Sequence, residues 1–389
     1  MFQGYRRPDG RTGIRNEVWI VPTVGCVNTN AAQLANCAEV QELSSGIDGV
    51  YAFPHSHGCA QIGEDQENTR RALAGLINHP NAGAVLVLGL GCENNTVEGM
   101  KEMLGDYNDE RVKFLVCQDV EDEFEAGLSL LRELISYASK FRREPVPMSE
   151  LVVGLKCGGS DGFSGITANP LVGSFSDRLV AEGGSALLTE VPEMFGAETI
   201  LMNRCPTPEL FERTVAMING FKQYFIENGQ NIYENPSKGN KSGGISTLED
   251  KSLGCIKKGG RSDVADVLDY AEPVKTRGLS LLTGPGYDLV SIGNMTASGA
   301  HLILFTTGRG TPFGSPVPTV KISSNTALYR KKQGWIDFDA GPILSGVPIE
   351  TLGDELYEYV RSLASGDILA KNETFGSREF IIFKSGVTA

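Results

Sequence analysis

Apolar residues come in short continuous runs along the first third of the chain. VWIVPTV (18–24), AVLVLGL (84–90) and VKFLVC (112–117) have almost no polar positions, as expected of strands covered on both faces in a parallel sheet. Between them the period changes. NTRRALAGLINH (68–79) and EDEFEAGLSLLRELISYASKF (121–141) repeat apolar residues three and four apart, which predicts amphipathic helices. Alternating strands and helices of this kind predict a doubly wound α/β domain.

FRREPVPMSE (141–150) breaks the pattern with two prolines and reads as a linker. A first domain over 1–145 and a second over 150–389 follow. The second opens on LVVGL (151–155) and contains LILFTTGRG (302–310), a strand ending in a glycine-rich turn. Between these, ENPSKGNKSGGISTLEDKSLGCIKKGG (234–260) shows little periodicity. Long irregular segments within compact domains are usually functional. The expected architecture is α/β in two domains, each with a mostly parallel sheet flanked by helices. It is Rossmann-like without a dinucleotide fingerprint, because GLGCEN lacks the third glycine.

Composition narrows the function. The 389 residues are 41% apolar and 21% charged, an ordinary globular balance for two domains. No apolar run approaches the roughly 20 residues of a membrane helix, and MFQGYRRPDG lacks a signal peptide's apolar centre. No membrane role and a cytoplasmic location are therefore expected. A net charge of −13 without a basic stripe excludes nucleic acid as a partner, and an anionic substrate would need cations gathered in one pocket. Eight widely spaced cysteines without a C-x-x-C pair predict reduced thiols and no zinc ribbon.

Three apolar runs halt at a cysteine that stands beside a glycine: Cys26, Cys92 and Cys157. In open parallel sheets, ligands bind beyond the carboxyl ends of the strands. A free cysteine is otherwise a small buried hydrophobe, and Cys37, Cys117, Cys205 and Cys255 keep that reading. In FPHSHGCAQIGED (53–65), an extended chain turns His55, His57 and Cys59 the same way. Imidazole and thiolate suit iron or zinc; the alternative is a polar loop whose histidines bond to backbone. Glu93 and Asp161 lie beside thiols and can ligate a metal, act as a base or cap a helix. Lys238, Lys241 and Lys251 in the irregular segment, and Arg309 in TTGRGTPFG, are candidates to hold a substrate carboxylate.

Longer motifs add a resemblance. GYRRPDGRTGIRNEVWIVPTVGCVN, HPNAGAVLVLGLGCENN, CGGSDGFSGITANP, TEVPEMFGAE, NPSKGNKSGGISTLEDKSLGC, FTTGRGTPFG and FKSGVTA together resemble the altronate/galactarate dehydratase family, which includes the large subunit of sulfolactate sulfo-lyase. The likeness runs along essentially the whole chain. It implies elimination of water from a sugar acid, D-altronate giving 2-dehydro-3-deoxy-D-gluconate in hexuronate catabolism. Ferrous iron is the implied metal, with Mn2+ as a substitute. The family pattern falls on Cys26, His55, Cys59, Cys92, Glu93, Cys157 and Asp161. Metal ligation is expected from Cys26, His55, Cys59, Cys92 and Cys157. Catalysis is expected from Glu93, His55 or Lys251, and substrate binding from Arg309, Lys241 and Asp161. His57 departs from the pattern, since relatives often carry an aromatic ring there. Family members also often carry a small β-rich domain ahead of GYRRPDGR, for which this chain leaves no room, so the expectation is either a separate small β-rich subunit as partner or a chain that is part of a longer one. A homo-oligomer stays open. The competing readings are galactarate or sulfolactate as substrate, an iron–sulfur cluster on Cys26, Cys59, Cys92 and Cys157, an NAD-dependent oxidoreductase, and a non-catalytic metal-binding module.

Overall fold

The computed structural model describes residues 1–386 and Thr388. A small antiparallel sheet ties the start of the chain to its middle, with β1 (Phe2–Arg6) between β2 (Thr12–Gly13) and β7 (Arg143–Val146). The segment expected to be a linker is thus partly a strand. Its prolines are tolerated because β7 lies at the sheet's edge, pairing on one side only.

β3 (Glu17–Pro22), β4 (Gly49–Ala52), β5 (Ala82–Gly89) and β6 (Val112–Val116) form a parallel sheet in the order β4-β3-β5-β6. The continuous apolar runs are its strands, and β3 and β5 are buried along their whole length. Alternate residues serve two cores. Val18, Ile20, Ala84 and Leu86 pack with the helix Glu123–Ala138. That helix starts where Asp122 accepts the backbone N–H groups of Phe124 and Glu125, both at 3.0 Å. Trp19, Val21, Val85 and Val87 point to the other face, into a core that includes Ala72, Leu73, Leu76 and Ile77 of the helix Glu64–Asn78 and extends to Met295, Ile303 and Phe305 of the second half.

The second sheet has seven parallel strands: β8 (Val152–Cys157), β9 (Ser185–Leu188), β10 (Val264–Leu268), β11 (Gly278–Leu282), β12 (Leu302–Thr307), β13 (Thr319–Ser323) and β14 (Phe338–Asp339). Their order is β10-β11-β9-β8-β12-β13-β14. The chain winds outward from β8 through β9 on one side, then returns to add β12 on the other. The expected α/β class with helix-flanked parallel sheets is therefore what the chain forms. The segment 234–260, expected to be irregular, holds two short helices, Lys238–Ser242 and Leu248–Cys255. The side chains of Ser237 and Thr247 cap them, which its polar composition hid from periodicity.

The two sheets are fastened together. The helix Glu64–Asn78 of the first packs against Asp288–Ala297 of the second within a shared core. A C-terminal strap then crosses back: Glu373 pairs with Arg15 at 2.7 Å and Arg378 with Glu17 at 3.0 Å. Asp65 accepts the N–H groups of Ser385 and Gly386, each at 2.8 Å. Among the described residues no helix is long and apolar enough to cross a membrane.

Candidate active site

Each sheet reverses its winding direction once, and crevices at such switch points are where α/β folds bind ligands. In the second sheet the crevice lies between β8 and β12. Their following loops meet there, with Gly308 and Arg309 both donating backbone N–H groups to Gly159 O at 3.1 Å.

β8 delivers Cys157 to this point fully buried. Its sulfur lies 3.4 Å from Cys255 Sγ and 3.0 Å from Glu193 Oε2, and Cys255 Sγ lies 2.9 Å from the same oxygen. Three lysines surround the group. Lys258 donates to Cys157 Sγ at 2.9 Å. Lys251 Nζ reaches Cys157 at 3.5 Å, Cys255 at 3.3 Å, Glu193 at 3.1 Å and Ser160 Oγ at 3.0 Å. Lys156 binds Glu190, and also Asp288 at 2.8 Å.

Buried charges persist only when paired, and the pairing sets each protonation state. A hydrogen bond from Cys255, followed by the charges of Lys251, Lys258 and Lys156, holds Cys157 well below an ordinary thiol despite burial. Burial, with Cys157 as its hydrogen-bond partner, pushes Cys255 well up. Burial opposes charge on Lys251 and Lys258, but the Cys157 thiolate and its neighbours outweigh it and raise both. Glu190 is raised to about 8, by burial first and then by the Cys157 and Glu193 charges. The result is a thiolate, a thiol and fixed ammonium groups in a dry setting. Ammonium groups so fixed stabilise a developing oxyanion without reorganising. A cavity of about 260 Å³ opens on this group, lined by Ser160, Asp161, Asn169, Lys251 and Cys255 among others.

Among the described residues, Cys157, Glu193 and Cys255 form the one group of three potential ligands whose atoms all lie within 4.8 Å of one another. Two sulfurs and a carboxylate suit iron or zinc in kind. The Lys251 ammonium, however, already touches all three atoms, so a metal ion would have to displace it.

The expected residues fall into separate sets. Cys157 and Lys251 come together, with Asp161 lining the same cavity. Asp161 Oδ1 is taken up by Ser164 and Ser324, and Oδ2 by Asn325, so the carboxylate braces its own loop. Arg309 is exposed and donates to Gly239 O at 2.8 Å and to Ser242 Oγ, tying down the helix that carries exposed Lys241.

Cys26, His55, Cys59, Cys92 and Glu93 sit instead at the carboxyl edge of the first sheet. Glu93 accepts from Thr23 Oγ1 at 2.6 Å and from the N–H groups of Gly91 at 2.6 Å and Leu90 at 3.1 Å. Burial works against its charge, and these donors lower it nonetheless. Both nitrogens of His55 are engaged, Nε2 with Pro22 O at 2.8 Å and Nδ1 with His57 N at 3.1 Å. Burial lowers its pKa to about 4. His57 is likewise held between Ile382 O and Gln61 at 3.2 Å each. In this geometry every ring nitrogen of the two histidines has a hydrogen-bond partner. Lys156, Glu190, Glu193 and Lys258 escaped sequence reasoning, although both glutamates lie within the motif TEVPEMFGAE. Cys255, read as an ordinary buried thiol, is a full member of the cluster.

An α/β fold with a lysine–thiolate centre at its switch point defines an enzyme of the kind that handles anionic substrates. Residues 148–388 match the model described as D-galactarate/Altronate dehydratase, C-terminal, and residues 4–139 match D-galactarate dehydratase/Altronate hydrolase, second domain. The chain belongs to this D-galactarate/altronate dehydratase family. It is 56% identical to the altronate dehydratase of Bacillus subtilis (strain 168), covering 100% of this chain and 78% of that protein. It is 54% identical to the altronate dehydratase of Escherichia coli (strain K12), over 99% and 78%. The (2R)-sulfolactate sulfo-lyase subunit beta of Chromohalobacter salexigens is 34% identical, over 98% and 96%.

Proposed function

We propose that the chain is a hydro-lyase that dehydrates D-altronate to 2-dehydro-3-deoxy-D-gluconate. One observation carries the choice of substrate. Identity is 54–56% to two altronate dehydratases but 34% to the galactarate and sulfolactate enzymes. The site chemistry suits the reaction. Loss of the C2 proton builds an enediolate with charge on the carboxylate oxygens, the C3 hydroxyl leaves as water, and the enol becomes the 2-keto product. Lys251, raised and buried at the cavity wall, serves as the cation for that carboxylate rather than as a base. Ser160, whose hydroxyl meets Lys251 at 3.0 Å, orients it. Iron, when bound, supplies Lewis-acid polarisation of the substrate oxygens. We also place a small β-rich partner beside the site, a reading favoured by the sulfo-lyase relative being a beta subunit.

The test is a keto-acid assay on D-altronate, galactarate and (2R)-sulfolactate, run with iron and with or without the partner. D-altronate should have the highest kcat/KM. Lys251→Met should lower it by about 100-fold or more, as for loss of an oxyanion-stabilising group. Preference for another acid, or full activity in Lys251→Met, would overturn the assignment.

A further inference from the structure

The first sheet's switch point lies between β3 and β5, and three Gly-Cys pairs stand around it: Gly25-Cys26 after β3, Gly58-Cys59 after β4 and Gly91-Cys92 after β5. These are adjacent strands of the sheet. All three thiols are exposed, whereas Cys157 and Cys255 are buried and Cys37, Cys117 and Cys205 are intermediate. Free cysteine is among the most buried residue types, so three exposed thiols at one crevice call for a ligand.

The loops are built to stay together. Gly25 N donates to His57 O at 2.9 Å, Asn95 N to Gly58 O at 3.0 Å, Asn95 Nδ2 to Thr23 O at 3.0 Å and Ala60 N to Asn94 Oδ1 at 2.8 Å. Every thiol-bearing loop is thereby bonded to another, close to its cysteine. Gly58 makes the approach feasible. Its φ is +101°, and a Cβ there would lie 2.1 Å from Thr23 O.

The spacing of the thiols decides what they can hold. Around one ion, metal–sulfur bonds of about 2.3 Å bring sulfurs within about 4 Å of each other. Cys26, Cys59 and Cys92 are not among the groups that converge within 4.8 Å. They therefore do not form a mononuclear site in this geometry, whereas a polynuclear cluster, in which each thiolate binds a different iron, is reached by thiolates further apart.

We propose that Cys26, Cys59 and Cys92 hold an iron–sulfur cluster in which one iron has no protein thiolate and faces the crevice, open to a hydroxyl or carboxylate oxygen. Cys157 is not a ligand, being enclosed by Glu193, Cys255 and the lysines of the second sheet. The cluster is detectable without substrate, so its iron and sulfide content tests it separately from the D-altronate assignment, on which only the substrate-induced spectral shift rests.

The full chain, purified without oxygen and reconstituted with ferrous iron and sulfide, should contain iron and acid-labile sulfide in near-equal amounts and show a broad visible absorption band. Cys26→Ser, Cys59→Ser and Cys92→Ser should each lose most of both, with unchanged far-ultraviolet circular dichroism because the side chains are exposed. Cys157→Ser and Cys255→Ser should keep them. Adding D-altronate should shift the electron paramagnetic resonance of the reduced wild-type cluster, as an oxygen ligand reaches the open iron. Iron without labile sulfide, or a cluster that survives in the Cys26, Cys59 and Cys92 variants, would overturn the proposal.

Discussion

His79 and His301 are buried where the two sheets meet, their rings 6.2 Å apart and edge to face. Neutral rings suit their partners: His79 bonds Ala300 O, and His301 accepts from Val152 N at 2.9 Å. Burial lowers His301 to about 4, with the Arg11 charge adding to the effect against a backbone bond to Thr12. The unfolded chain, with histidine near 6.5, therefore binds more protons between pH 6.5 and 4. Stability contributed by the neutral ring is present above 6.5 and lost as pH falls through that window. Over the whole window this amounts to roughly 3 kcal/mol. His301→Gln cannot take up that proton. Its deficit in urea stability relative to wild type should be largest at pH 7 and should shrink by about that amount near pH 4. A deficit independent of pH would show that His301 titrates normally. Single residues of this kind are hard to weigh from sequence. Cys157 and Lys251 stood out beside glycines and in an odd segment, but Glu190 and Glu193 matter only because β9 lies next to β8, a neighbourhood that linear spacing does not reveal.

Helix Glu64–Asn78 meets helix Asp288–Ala297 at Gly75, where an added Cβ would lie 2.2 Å from Ala297 O. Alanine is worth about 1 kcal/mol more than glycine inside an isolated helix. Here the backbone contact wins, because two packed helices must separate to admit a methyl group. Gly75→Ala should therefore lower the melting temperature although it raises helix propensity; a higher Tm would mean that the helices can part freely. Elements with a clear period were legible in the chain: β3, β5, β6 and both flanking helices lie where the apolar runs put them, within a few residues. The two short α-helices of 234–260 were not, since their starts are fixed by Ser237 and Thr247 caps rather than by an apolar stripe. β7 was hidden for a different reason. Its prolines discourage a strand everywhere except at an edge, and edge position is a property of the finished sheet.

The two sheets form one body through a shared core and through the strap over residues 373–386. Arg15 and Glu373 have side chains 2% and 3% exposed, and Arg378 and Glu17 extend the chain of charges. Removing one member leaves a buried charge without its partner, at a cost of about 3–5 kcal/mol. Glu373→Ala should lose stability on that scale, and calorimetry should resolve its single melting transition into two as the sheets uncouple. One transition at the wild-type temperature would mean that the apolar seam alone joins them. The same strap has a consequence for how the molecule is made. Its first sheet is complete by residue 116, yet the partners of Arg15, Glu17 and Asp65 are still untranslated. At about 5–20 residues per second, the ribosome needs roughly 15–55 s more to supply them. Through that interval the nascent first half carries unmatched charges and, on the helix Glu64–Asn78, the uncovered side that later meets Asp288–Ala297. It is a natural client for a chaperone, and cells short of chaperone should yield the chain as aggregate long before they lose the finished enzyme.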